Sequence, residues 1–155
     1  MTFSLEALSS LCLDFREEIA RITHETDQFL TKFQTKERFL FSNAEQIKKS
    51  YLGPYGRLVT SLLASLERSD RLALQLSALL KSTDAVDAIE YMPRIEELWR
   101  AYEQYRSHIS TYLEQSGRYW TDKISMTTSG TAPLVEATRS LIAAQRQASK
   151  AFGGT

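Results

Sequence analysis

Residues 99–120 read WRAYEQYRSHISTYLEQSGRYW, a stretch with six aromatic side chains and arginines between them. At about 100° of turn per residue, Ile95, Leu98, Trp99, Tyr102, Tyr105, Ile109, Tyr112, Leu113, Tyr119 and Trp120 fall within one arc of roughly 160°. Arg100, Glu103, Glu114 and Arg118 fall outside that arc. This is the buried stripe of an amphipathic helix, whereas base stacking needs aromatic rings exposed beside a basic groove. Arg106 and Gly117 lie inside the apolar arc. The arginine must run its stem along the aromatic rings or pair with an acid on a neighbouring helix. The glycine suits a close helix approach. Tyr102, Tyr105, Arg106 and Tyr112 are therefore the candidate residues for an ion-pair cluster or a ligand-lined pocket.

The spacing of three and four that shapes this stretch recurs along the chain, and period-two alternation is absent. The fold class that follows is all-α: an elongated antiparallel bundle of about four helices in one domain spanning 1–155. Glycine and proline punctuate it sparsely, six and three in 155 residues. Neither occurs from Phe3 to Leu52, and the cluster Gly53-Pro54-Tyr55-Gly56 reads as the first helix stop. The expected helices are 4–52, 56–81, one opening at 84 or 93 and ending near 125, and 132–152. Pro93 and Pro133 suit first-turn positions.

In the first of these, positions 5, 8, 12, 15, 19, 22, 26, 29, 33, 36, 40, 43, 47 and 50 alternate steps of three and four. Ten of the fourteen are apolar, counting Cys12. A seam sustained over about six heptads is a coiled-coil-like packing surface, and Lys36 and Asn43 are polar seam positions of the kind that fix register or oligomer state. The apolar stripe widens at Arg38-Phe39-Leu40-Phe41. The expected partner-binding residues are Phe29, Phe33, Lys36, Phe39, Leu40, Phe41 and Asn43. Residues 1–30 hold six acids against two bases, and residues 31–60 hold six bases against two acids. An antiparallel partner, another protein or a second copy of this chain in a homodimer, would set the acidic half against the basic half.

Composition excludes much chemistry. Nineteen basic and nineteen acidic side chains cancel, and the bases and acids of the third helix balance, so no field favours nucleic acid. The locally basic stretch at 48–57 is the best place for a weak anionic contact. No apolar run reaches the roughly 18 residues that span a bilayer. The N-terminus lacks a basic leader, and a single cysteine fits a reducing compartment, so the expected location is cytoplasmic. With two histidines and one cysteine, and no Glu-x-x-His pair, neither a metal nor another cofactor is expected. Cys12 falls on the apolar seam, where a thiol stays protonated and inert. Glu17-Glu18 and Glu96-Glu97 point about 100° apart and read as solvated faces. His24, in a polar patch, reads as solvated. The function expected is protein–protein interaction without catalysis, as a scaffold, adaptor or assembly subunit working through helix-in-groove or coiled-coil packing. The alternatives are a chaperone that shields a helical client in export or assembly, and a helical enzyme or ligand-binding protein using the tyrosine–arginine pocket.

Overall fold

The computed structural model describes residues 5–37, 44–81, 89–121 and 132–153, with the side chains of all but 33–37, 44–51 and 132. Four helices make up nearly all of it: α1 (Leu5–Glu37), α2 (Ala44–Lys81), α3 (Met92–Thr121) and α4 (Ala132–Gly153). There is no strand among the described residues. The chain is an all-α helical bundle. α1 packs on α2 and α4, and α3 packs on the same two, so the helices form a ring with α1 and α3 on one diagonal. Every neighbouring pair is antiparallel. Glu18 reaches Arg68 while Phe29 meets Tyr55, and Phe15 meets Phe152 while Thr26 meets Gln145.

The antiparallel α1–α2 pair corrects the expected helix over 4–52. α1 ends at Glu37, and α2 begins at Ala44 rather than 56. The heptad count misses this because both helices bury an apolar stripe, so the three-four rhythm continues across a reversal of direction. A reversal needs neither glycine nor proline. A local signal does exist: Asn43 immediately precedes Ala44, and Gln46 follows three residues later, residue types that favour a helix start. Of the seven expected partner-binding residues, Phe39, Leu40, Phe41 and Asn43 lie outside the described residues. Phe33 and Lys36 belong to α1, but their side chains also lie outside them.

A second correction concerns Gly53-Pro54-Tyr55-Gly56, which lies inside α2. Proline there removes the bond to the carbonyl four residues back and costs about 3 kcal/mol, and each interior glycine costs about 1 kcal/mol. Tertiary packing offsets this. Tyr55 shares a 2.6 Å hydrogen bond with Ser116 of α3, and its ring packs against Trp120 at 5.5 Å and Phe29 at 6.3 Å. Leu58, one turn on, is buried. Propensity predicts a break at this point, and the contacts of Tyr55 override it.

Gly117 does not serve a close approach, since a Cβ there would meet nothing within 4 Å. The same holds for Gly56. Gly56→Ala and Gly117→Ala should therefore each raise stability by about 1 kcal/mol, or roughly 2–4 °C in Tm, by restricting the unfolded chain. A fall in Tm measured by circular dichroism would contradict this account of both helices.

α3 begins as its sequence suggests, with Pro93 in the first turn, where a missing N–H costs nothing. The aromatic stripe is core: Tyr102, Tyr105, Tyr112, Tyr119 and Trp120 are buried, and Trp99 is half-buried. They meet Phe15, Ile19 and Ile22 from α1, Leu62 and Leu76 from α2, and Leu134, Leu141 and Phe152 from α4 in one cluster.

Candidate docking surface and the polar ties behind it

Polar side chains inside the bundle tie its seams one by one. Ser65 and Tyr105 share a 2.6 Å hydrogen bond between α2 and α3, alongside that of Tyr55 and Ser116. Tyr112 and Thr138 share one of 3.1 Å between α3 and α4. Gln145 donates to Thr26 at 3.3 Å between α4 and α1. A buried polar group costs free energy unless it is partnered, so these contacts penalise any slip in helix register.

The seam between α1 and α2 is tied by a charge. Glu18 accepts hydrogen bonds from Arg21 at 2.5 Å and from Arg68 at 3.0 Å, and its side chain is only 10% exposed. Burial alone pushes the Glu18 carboxyl up, but hydrogen bonds from Arg21, Arg68 and Ser65 outweigh it and hold it below the usual carboxylate range. Glu18 is thus part of a polar line from Arg68 through Ser65 to Tyr105, crossing three helices. The sequence reading of Glu17-Glu18 as a solvated pair holds for Glu17, which is exposed, and fails for Glu18.

Of the four residues taken from the aromatic stretch, Tyr102 and Arg106 converge on one carboxylate, and Tyr105 and Tyr112 have partners of their own. Tyr102 donates to Asp70 at 2.5 Å, and Arg106 joins the same carboxylate through Nε at 3.1 Å and Nη2 at 3.5 Å. Arg106 therefore pairs with an acid on α2, with its side chain half exposed. Burial, then the Asp70 carboxylate, pushes the Tyr102 hydroxyl up to about 12. Tyr105, deeper in the bundle, is also pushed up to about 12 by burial. Tyr112 is raised by burial on the opposite seam. Each hydroxyl is protonated at neutral pH and bonded to its own partner, so the set is three separate ties and not one lined pocket.

Elsewhere the expected sites resolve simply. Phe29 is buried against Tyr55, which commits its ring to packing within the chain. Cys12 is half-buried, and burial raises its thiol. His24 is exposed. No group of three or more metal-ligating side chains occurs among the described residues, and none of their helices is long and apolar enough to cross a membrane. Arg57, in the locally basic stretch, lines an open cleft of about 240 Å³ between α1 and α2 with Gln28, Lys32, Ser61 and Glu25.

The feature missed in the sequence is on the outside of α2. Leu52, Leu63 and Leu74 are 41%, 52% and 72% exposed. They stand eleven residues apart, three turns plus about 20°, so they form one line roughly 33 Å long. Half-buried Val59 and Leu66 flank it toward α3. Single exposed leucines are ordinary, but these three align into a ridge, filled by Val59 between Leu52 and Leu63 and interrupted by Glu67 and Asp70 between Leu63 and Leu74. Counting round the helix from Leu52, the buried positions Leu58, Leu62, Ser65, Ser69 and Leu76 centre at about 250°, so the ridge points well away from the core.

No protein-family model matches this chain, and neither a curated protein nor a solved structure matches it.

Proposed function

We propose that this chain is a protein–protein interaction module, a scaffold, adaptor or assembly subunit, which docks through the outer face of α2 and carries out no catalysis. The observation that supports it most is the alignment of Leu52, Leu63 and Leu74 on a face that no other part of the described chain covers. A row of exposed leucines of this kind fits into the groove of a partner helix or helix pair, and burying one leucine side chain contributes about 1.5–3 kcal/mol. The bundle behind it is held in register by polar ties at every seam, so the ridge is presented on a rigid support. In this reading Tyr102, Tyr105, Arg106 and Tyr112 are structural, since each is already bonded within the chain or paired with Asp70.

The test is photo-cross-linking in the native cell, with a benzophenone amino acid placed singly at 63, 74, 104 or 139. Positions 104 and 139 are exposed on α3 and α4. Discrete adducts from 63 and 74, absent from 104 and 139, are expected. Equal labelling from all four positions, or none from 63 and 74, would refute docking through α2.

A further inference from the structure

We propose that the cleft between α1 and α2 binds a small zwitterion whose ammonium and carboxylate stand at opposite ends of an apolar chain. The cleft encloses about 240 Å³, a volume that suits a compact molecule. Its polar residues are sorted by charge along its length. Tyr55 meets Phe29 and Arg68 meets Glu18, so Ser61 stands level with about residue 24 and Gly53 with about residue 32. Glu25 and Ser61 therefore mark one end and Lys32 the other, with Gln28 between them. Along α1 the two ends are separated by about 10 Å. Buried Phe29 and Leu58, with half-buried Pro54, form the apolar part of the lining. Arg57 springs from the middle of the cleft, but its guanidinium is directed to the Lys32 end, where Nη1 stands 4.0 Å from the position of a Cβ on Gly53. The cleft opens about 120° round α2 from Leu63, so it is separate from the docking face.

Both ends have bonding capacity to spare. Glu25 Oε1 accepts one long bond from Arg21, at 3.3 Å, because that guanidinium is committed to Glu18 at 2.5 Å. Glu25 Oε2 is buried and has no hydrogen-bond partner among the described residues. A buried oxygen left unbonded is costly, and a donor brought into the cleft removes that cost. An ammonium group supplies such a donor together with the opposite charge. At the other end, Arg57 makes no hydrogen bond or ion pair among the described residues. Its planar guanidinium matches a carboxylate through two parallel N–H bonds. Glu25 and Arg57 do not answer each other, because the length of the cleft lies between carboxylate and guanidinium. A plain anion would reach Arg57 and leave Glu25 as it is, while a plain amine would do the reverse. A molecule carrying both charges on an apolar chain satisfies both ends and covers Phe29, Leu58 and Pro54 between them.

Amide NMR of the full chain tests this with probes of one length: ε-aminohexanoate, hexanoate and hexylammonium. The zwitterion should shift the Gln28, Arg57 and Ser61 signals saturably. Hexanoate and hexylammonium should each bind about fivefold more weakly, the effect of losing one charge pair at a solvent-exposed end. Glu25→Gln should weaken ε-aminohexanoate about fivefold and leave hexanoate unchanged. Arg57→Gln should weaken ε-aminohexanoate and hexanoate alike and leave hexylammonium unchanged. Circular dichroism checks that both variants remain helical. Hexanoate or hexylammonium binding as tightly as ε-aminohexanoate would overturn the zwitterion, as would ε-aminohexanoate binding that survives both substitutions undiminished. No saturable shift from any of the probes at tens of millimolar would overturn the site itself.

Discussion

Phe15→Ala is expected to lower the unfolding free energy by about 3–5 kcal/mol, a large share of the whole for a domain of this size. Phe15 is fully buried on α1. Its ring stacks on Phe152 with centroids 4.3 Å apart and meets Tyr102 of α3 at 6.2 Å. It therefore joins α1 to the last turn of α4 and, across the diagonal, to α3. The cavity left by alanine would be walled by three helices that their polar ties hold in place, so it could collapse only partly. α4 would feel the loss most. It is the shortest helix, and its C-terminal end is held by the Phe15–Phe152 stack and by Arg16, which packs beside Gly153. Chemical denaturation should show the loss, and amide hydrogen exchange should accelerate first in 148–153. A cost below about 1 kcal/mol, well under the range for emptying a buried aromatic site, would mean that the stack does not hold α4.

Glu18→Gln is expected to cost about 1.5–3 kcal/mol at pH 7, the range for hydrogen bonds to a charged group, with a cost that disappears in acid. The arginine and serine donors hold the Glu18 carboxyl below its ordinary range. A carboxyl whose pKa is depressed on folding stabilises the native state fully above its unfolded value, about 4.3. That contribution falls away as pH drops through the lower folded value. The gap between wild type and Glu18→Gln should therefore be constant from neutral pH down to about 5, and then close. Urea denaturation of both proteins across that range measures it. A gap that stayed constant below pH 3 would show that the amide disturbs packing and that the charge is irrelevant.

Much of this fold is legible in the sequence where amphipathic periodicity and helix ends agree. The aromatic arc of α3 is the buried face, Pro93 stands in a first turn, and α4 spans the residues expected of it. What periodicity does not carry is direction. An apolar rhythm that runs on through a reversal looks like one long helix, so it hides the α1–α2 hairpin, and Asn43 with Gln46 is the quieter signal. Gly53-Pro54-Tyr55-Gly56 misleads for the opposite reason. Its local preference is real, but Tyr55 makes contacts with α1 and α3 that no local rule contains.

The site divides in the same way. Arg106 stands out because a charge inside an apolar arc requires a partner, yet identifying Asp70 requires the α2–α3 register, which only the assembled bundle supplies. Glu18 escapes notice because its acidic neighbour Glu17 makes the pair look like a solvated face. The leucine ridge is open to the same angular count that reads α3. In a leucine-rich helix every leucine looks like core until the buried arc is drawn, and Leu52, Leu63 and Leu74 then fall outside it.

Every surface assigned to α2 depends on α1 and α2 forming a hairpin whose reversal falls between Glu37 and Ala44. The distance between nitroxide labels at 17 and 52, read by pulsed electron spin resonance, tests this most directly. Both positions are exposed. In the hairpin, residue 52 lies level with about residue 33, because Tyr55 meets Phe29 and Arg68 meets Glu18. An axial offset of about 24 Å and a helix separation of about 10 Å then give a distance of about 25 Å between labels. A single helix running from 4 to 52 would place the labels about 50 Å apart. A distribution centred at about 25 Å is the result expected, and one centred at about 50 Å would contradict the hairpin and the docking face built on it.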